Sequence, residues 1–340
     1  MKNKKWIALA AAVVLAVTAL PMGVFAAKKD STEEKLTKVT LNEVAHSIFY
    51  APQYVAIEEG YFAEKGLDLT LVTGFGADKT MTAVISGEAD IGFMGAEASV
   101  YAYQEGATDP VVNFAQLTQR AGNFLVAREE MPDFKWEDLK GEKVLGGRKG
   151  GMPEMVFEYI LKKNGIDPQK DLTIDQSIDF GSTAAAFTSD DSAAYTVEFE
   201  PSATILEKEG AGYVVASLGE ASGYVPYTSY STKASYMKEN PEIIQKFTDA
   251  LQKGMDYVQN HTPEEIAEVI APQFKETDLE TITAIVKRYY DQDTWKENLI
   301  FEKDSFELLQ DILEDAGELT DRTAYENLVH TEYAQKACEN

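Results

Sequence analysis

From residue 38 onward, the apolar positions switch repeatedly between two spacings. Val39 and Leu41 alternate with polar neighbours, which predicts a short strand over 38–42. Tyr54, Ile57 and Tyr61 then recur at helical spacing, predicting a helix over 52–59 that Gly60 ends. Leu67, Leu69 and Leu71 alternate again, up to Gly74. Residues 77–86 read as a helix with Met81, Val84 and Ile85 inward and Gly87 behind it. Ile91 and Phe93 mark a strand ending at Gly95, residues 97–104 a helix stopped by Gly106, and 111–118 and 123–127 two further strands.

Strands alternating with helices predict α/β architecture with a largely parallel sheet. In such sheets ligands sit outside the carboxyl ends of the strands. The loops at 45–50, 74–77, 94–97 and 116–119 all follow strands and should gather on one edge. A second unit starts near Trp136: a turn at 138–141, a strand at 143–145, a glycine-rich loop at 146–151, and a helix opened by Pro153. Residues 172–180, 193–199 and 213–217 are strand candidates, with a helix over 201–209. Residues 223–231 read as extended. From 241 to 336 nearly everything is helical, with turns near 261–263 and 292–296. These helices carry amphipathic faces, such as Ile244, Phe247, Leu251 and Met255, but no strands, and are expected to pack on the first unit.

The N-terminus adds a location. Lys2, Lys4 and Lys5 precede an apolar run over 7–20 and the small or branched residues Val24, Phe25 and Ala26. That is the pattern of a secretory signal, expected to span 1–26, followed by a flexible linker at 27–37. The run is shorter than the roughly 20 residues of a spanning helix. The chain is therefore expected to be exported, to the periplasm, the cell surface or the medium. Hydrophobic residues make up 44% of 340, ample for one large or two medium domains. The formal net charge of -26 repels nucleic acid and anionic lipid, which argues against either as a partner. The single cysteine, Cys338, excludes an intramolecular disulfide and a cysteine-based metal site. With histidines only at 46, 261 and 330, neither metal chemistry nor a cofactor is expected.

Four blocks carry a family likeness. They are His46-Ser47-Ile48-Phe49-Tyr50-Ala51-Pro52-Gln53-Tyr54-Val55-Ala56 with Glu59-Gly60-Tyr61-Phe62; residues 67–71 with Gly74; Ser86-Gly87-Glu88-Ala89-Asp90-Ile91-Gly92; and Asp138-Leu139-Lys140-Gly141-Glu142-Lys143-Val144. Each is weak alone. In this order, across 38–255, the chain resembles the solute-binding proteins of ABC importers for sulfonates, taurine, nitrate and pyrimidine precursors of thiamine. The resemblance implies a bilobed type II periplasmic-binding-protein fold. Lobe one would comprise 38–125 and 226–340 and carry the extra C-terminal helices; lobe two would comprise 126–225. Two crossing strands, near 124–128 and 224–231, would join them, with ligand in the cleft between. It further implies a monomer that serves a membrane permease and its ATPase. Phe49-Tyr50-Ala51-Pro52 and Phe199-Glu200-Pro201 look like the pyrimidine-precursor branch.

Candidate ligand contacts follow. Gly150-Gly151-Met152-Pro153 precedes a helix, so its free N–H groups form either a cradle for a ligand oxygen or a tight turn; Arg148 reinforces that contact or is solvated. Glu198 and Glu200 alternate along a strand and present carboxylates to ligand N–H groups, or else face water, with Glu200 serving the following helix. Glu200 is the slightly favoured reader of the two. His46 donates to ligand or fixes its own loop. Phe49 and Tyr50 line the cleft for a flat ring or pack beneath it. Asn42, Gln116, Gln119 and Tyr227 are polar candidates at strand ends and in the second crossing, and Gly95 and Glu97 lie in the loop after the strand at 91–94. The carboxylates at 97, 198 and 200 stand where a sulfonate binder would present a serine or a base. They favour a small nitrogen heterocycle, best an aminopyrimidine. No P-loop ending, zincin histidine pair, nucleophile elbow or Cys-His arrangement occurs, so a binding protein rather than an enzyme is expected. The alternatives are an enzyme of the same fold acting on a pyrimidine, and a sulfonate or taurine binder.

Overall fold

The predicted alternation is realised as strands β1 (Thr37–Glu43), β2 (Leu67–Thr73), β3 (Ile91–Met94), β4 (Val111–Thr118) and β5 (Asn123–Ala127). β6 (Lys143–Leu145), β7 (Thr173–Asp175), β8 (Tyr195–Phe199), β9 (Tyr213–Ser217) and β10 (Thr228–Lys233) follow. This computed structural model describes residues 35–147, 149–178 and 181–339. The expected signal segment and most of the linker lie outside them; Thr37, assigned to the linker from sequence, is the first residue of β1.

The strands form two five-stranded sheets, ordered β2-β1-β3-β10-β4 and β7-β6-β8-β5-β9. The two are built alike. β1, β2 and β3 run parallel, as do β6, β7 and β8. Each sheet then accepts one strand that arrives from the other lobe, β10 in the first and β5 in the second, and that strand pairs antiparallel with both neighbours. The bilobed α/β expectation holds, but the crossings lie earlier than predicted. β5 belongs wholly to the second sheet, so the first crossing is residues 119–122, not 124–128. β10 belongs wholly to the first, so the second crossing is 218–227, which includes a short helix, Leu218–Ser222. Glycine matters in the first crossing: a Cβ on Gly122 would fall 2.5 Å from the Phe49 ring.

Helix signals mostly hold. Ala77–Ser86 is helical as predicted and closes on Gly87, at φ +81°. Ile85 is half exposed rather than inward, because Met81 and Val84 take the buried face. A helix at Thr183–Ser189, unforeseen in its alanine- and threonine-rich sequence, covers β8.

The C-terminal helices do more than complete lobe one. Pro241–Asn260 packs on Ala51–Glu58, so closely that a Cβ on Gly254 would meet the Pro52 carbonyl at 2.3 Å. But Leu279–Asp291 reaches lobe two through Arg288, and Lys303–Asp315 packs on Met152–Lys163 of that lobe. The amphipathic pattern told that a face is buried, not against which lobe. Among the described residues no helix is long and apolar enough to cross a membrane.

Candidate functional site

The loop after β1 is set by a carboxylate that sequence reasoning missed. Glu43 is fully buried and accepts from Gln53 Nε2 and Tyr54 OH, each at 2.8 Å, and from Thr73 Oγ1 at 3.1 Å. His46 Nδ1 lies 2.8 Å from the same carboxylate and Nε2 lies 3.0 Å from the Gln273 carbonyl. Two acceptors on one ring favour imidazolium, and the hydrogen bond to Glu43 raises the His46 pKa. His46 thus ties its loop to Glu43 and to the Gln273 carbonyl. Asn42 Oδ1 accepts from Thr80 Oγ1 at 2.8 Å within lobe one.

This loop delivers Phe49 and Tyr50 to the junction of the lobes. Phe49 is fully buried, its ring centroid 5.1 Å from Tyr50, 5.2 Å from Tyr289, 5.7 Å from Tyr227 and 6.0 Å from Phe199. These rings come from the first lobe, the C-terminal helices, the second crossing and the end of β8. Trp295 Nε1 donates to the Phe49 carbonyl at 2.8 Å and holds the loop from behind.

Buried polar atoms without partners occur at this junction, in the first sheet, and also in the C-terminal helices at Gln245 and Gln310. Among the described residues, the buried Oε2 of Glu97, the hydroxyl of Tyr227, both amide atoms of Asn123 and Oε1 of Gln116 lack a hydrogen bond. Buried polar groups are normally paired, so the orphans of Glu97, Tyr227 and Asn123 make this junction the candidate place for a ligand. Asn123 opens β5 directly opposite Phe199, and Gln116 lies opposite Ser229. Glu97 is 3% exposed, and its side chain folds back so far that a Cβ on Gly95 would meet Oε2 at 2.0 Å. Burial pushes its pKa up to about 7, opposed by its own N–H and by that of Met152, across the lobe boundary. Its charge in turn raises the pKa of Tyr50 and Tyr227, beyond the larger effect of their own burial.

The other candidates have structural partners. Glu198 accepts from Thr183 at 3.0 Å and Thr196 at 2.6 Å, and burial lifts its pKa to about 7. Glu200 accepts from the Thr204 N–H at 2.9 Å, the Thr204 hydroxyl at 3.0 Å and Arg288 at 2.5 Å. β8 ends at Phe199, so Glu200 has left the strand and serves the next helix and an interlobe ion pair. The carboxylate expected to read ligand therefore accepts three hydrogen bonds from the protein itself, from Thr204 and Arg288. Gln119 Nε2 donates to the Asp293 carbonyl at 3.2 Å. In the glycine loop, the Gly150 N–H donates to Glu154 at 3.1 Å and the Gly150 carbonyl accepts from Tyr101 of lobe one at 3.2 Å. Gly151 is the N-cap of Met152–Lys163. Arg148 lies outside the described residues. The structure therefore brings together Phe49, Tyr50, Gly95, Glu97, Met152 and Tyr227 of the predicted set. Asn123, Tyr289 and Phe199 join them, and a buried asparagine opening the otherwise apolar run 123–127 was the available signal for the first.

Two mixed sheets joined by two crossings, with a polar and aromatic site between them, define the bilobed architecture of periplasmic binding proteins. The chain belongs to the NMT1/THI5-like family, whose model matches residues 48–266. It is 47% identical to YtlA of Bacillus subtilis (strain 168), over 92% of this chain and 93% of that one. Riboflavin-binding protein RibY of Chloroflexus aurantiacus is 25% identical over 68% of this chain and 65% of its own. The 4-amino-5-hydroxymethyl-2-methylpyrimidine phosphate synthase THI11 of Saccharomyces cerevisiae is 24% identical, over 62% and 63%. Two solved structures share the fold. The alkanesulfonate-binding protein SsuA of Xanthomonas axonopodis pv. citri has a TM-score of 0.69 at 15% identity, over 87% of this chain and 99% of that one. The nitrate-binding protein NrtA of Synechocystis PCC 6803 has a TM-score of 0.70 at 16% identity, over 90% and 89%.

Proposed function

We propose that the protein is the extracytoplasmic solute-binding component of an ABC importer and captures a flat, neutral or cationic nitrogen heterocycle between its lobes, with an aminopyrimidine the best candidate. The observation that carries this reading is the unpartnered Glu97 Oε2, buried beside Tyr50 and Tyr227. A buried acceptor without a donor costs free energy that a ligand N–H recovers. The rings of Phe49, Tyr50, Phe199 and Tyr227 supply surfaces for a planar cargo, and the Asn123 amide offers one donor group and one acceptor to its edge. Relatives named for a flavin and for an aminopyrimidine agree with a flat heterocycle; the sulfonate and nitrate binders share only the fold.

Ligand that binds only the native state raises the thermal transition. A thermal-shift panel should therefore show a rise with 4-amino-5-hydroxymethyl-2-methylpyrimidine or a related heterocycle, and none with taurine, an alkanesulfonate or nitrate. A rise confined to the sulfonates or nitrate would overturn the assignment of cargo.

One observation favours a second reading. A carboxyl with a pKa near 7 suits general acid–base chemistry, and one relative is named as a synthase. Chemical change of a bound pyrimidine during prolonged incubation would establish the enzyme reading, and its intact recovery the binding one.

A further inference from the structure

The segment 292–295, which leaves the helix Leu279–Asp291, bonds to both crossings. On the first, the Gln119 N–H donates to the Thr294 carbonyl at 2.9 Å, the Gln119 side chain to the Asp293 carbonyl at 3.2 Å, and Gln292 Nε2 to the Ala121 carbonyl at 3.2 Å. On the second, the Tyr224 hydroxyl donates to Asp293 Oδ2 at 2.5 Å. Ser217, which ends β9 in lobe two, donates to Gln292 Oε1 at 2.7 Å. The crossings also hold each other. The Val225 N–H donates to the Gln119 carbonyl at 2.8 Å, and the Arg120 guanidinium lies 4.3 Å from the Tyr224 ring centroid while donating to the Gly219 carbonyl at 3.1 Å. A Cβ on Gly219 would fall 2.5 Å from the Ala121 carbonyl and 2.8 Å from Gln292 Nε2, so the three pieces of chain are in direct contact. At its far end the same segment carries Trp295, which donates to the Phe49 carbonyl at 2.8 Å.

The residue at 293 is informative. Asp293 has φ +56°, the left-handed conformation that commonly follows a helix end and that glycine adopts without steric cost. An aspartate gives up that advantage. Its carboxylate is the group that Tyr224 meets, so the contact with the second crossing accounts for the side chain and the helix ending does not.

We infer that residues 292–295 are a third hinge element, through which the chain does not cross between lobes but which braces the two crossings that do. Asp293 is its positioning residue. It holds the second crossing through Tyr224 and, two residues on, the segment holds the Phe49 loop through Trp295. The angle between the lobes and the placement of the Phe49 ring are thereby set together. Hinges are a few residues at element ends that absorb the change in backbone angles. The inference rests on reading the junction around Phe49 as the ligand site, but its test uses no ligand, so it stands or falls separately from the cargo.

The full chain is prepared with fluorotryptophan, which gives a fluorine NMR signal for each of Trp6, Trp136 and Trp295. Trp136→Phe and Trp295→Phe assign the last two. Ligand-free samples are compared by this spectrum and by small-angle scattering. Asp293→Gly relieves the left-handed backbone but removes the carboxylate. It should enlarge the radius of gyration and move the Trp295 signal, with Trp136 unmoved. Asp293→Asn keeps an acceptor oxygen and should change both readouts less. Tyr224→Phe removes only the hydroxyl from a residue that is 57% exposed, and should act as Asp293→Gly does; it carries the test if the glycine variant does not melt cooperatively. Tyr213→Phe, at an exposed tyrosine of β9, should change neither readout. A radius and a Trp295 signal that stay at their wild-type values in a folded Tyr224→Phe would overturn the inference. So would a change in one readout without the other, an equal response in Tyr213→Phe, or a Trp136 signal that moves as far as that of Trp295.

Discussion

Arg288 Nη1 lies 2.5 Å from Glu200 Oε1, and this contact ties a C-terminal helix packed with lobe one to the end of β8 in lobe two. Nη2 of the same guanidinium lies 2.9 Å from Glu207, and the Tyr289 hydroxyl next to it donates to the Gly122 carbonyl at 2.7 Å. Removing Arg288 would leave Glu200, 2% exposed, without its cation. Because Arg288 is itself partly exposed, Arg288→Ala should cost about 1.5–3 kcal/mol, the range for hydrogen bonds to charged groups. Urea titration measures this. Small-angle scattering of ligand-free Arg288→Ala should also show a larger radius of gyration than wild type, since the tie crosses the lobes. An unchanged radius would mean that the pair stabilises the fold without holding the lobes together.

Two glycines should respond differently to alanine. A Cβ on Gly122 meets the buried Phe49 ring, which is wedged among four other rings and has nowhere to go. Gly122→Ala should therefore destabilise the protein by about 1–3 kcal/mol, as overpacking does. A Cβ on Gly95 meets only the end of the Glu97 side chain, so Gly95→Ala should displace the carboxylate at smaller cost. Its larger effect should be on ligand affinity. Comparing melting temperatures with dissociation constants separates the two; equal loss of stability in both variants would contradict the placement of Glu97.

Stability should fall as pH rises through neutrality. Glu97 and Glu198 are carboxyls held up to about 7 by burial. A raised carboxyl pKa means that the native state holds a proton the unfolded chain releases near pH 4.5. The associated stability is full below that pH and is lost as pH climbs through 7. A tenfold change in an ionisation constant is worth about 1.4 kcal/mol, so the two carboxyls together subtract several kcal/mol over this window. The raised His46 acts in the same direction. Asp175, held at about 2 by hydrogen bonds from Ser177 and Lys143, acts oppositely and only at low pH. The melting temperature should peak near pH 5 and decline toward pH 8, and Glu97→Gln with Glu198→Gln should flatten the decline. A melting temperature that climbs from pH 5 to 8 would contradict the burial of these groups.

Much of the fold was legible because the signals were local. Val39 and Leu41, or Met81 followed by Gly87, declare strand and helix from neighbouring residues alone. The crossings were misplaced because strand periodicity does not say which sheet a strand joins, and 123–127 reads as a strand either way. The site was legible only in part. Phe49, Tyr50 and Tyr227 stood out as aromatics in loops or extended segments. Glu97, Glu198 and Glu200 all read in sequence as carboxylates for ligand, with Glu200 slightly ahead of Glu198, yet Thr183 and Thr196 bond to Glu198 and Arg288 to Glu200, and those partners lie up to 88 residues away. Asn123 was passed over because its meaning comes from Phe199, which faces it only once β5 and β8 pair.

Calorimetric titration of 4-amino-5-hydroxymethyl-2-methylpyrimidine into wild type, Glu97→Gln and Glu198→Gln tests the central claim most directly. Wild type should bind. Glu97→Gln should weaken binding by about 1.5–3 kcal/mol, roughly 10- to 150-fold, because one acceptor beside Tyr50 and Tyr227 becomes a donor. Glu198→Gln should leave affinity within about twofold, since its carboxylate serves Thr183 and Thr196. Affinity unchanged by Glu97→Gln but lost with Glu198→Gln would contradict the account and return the reading of ligand to β8.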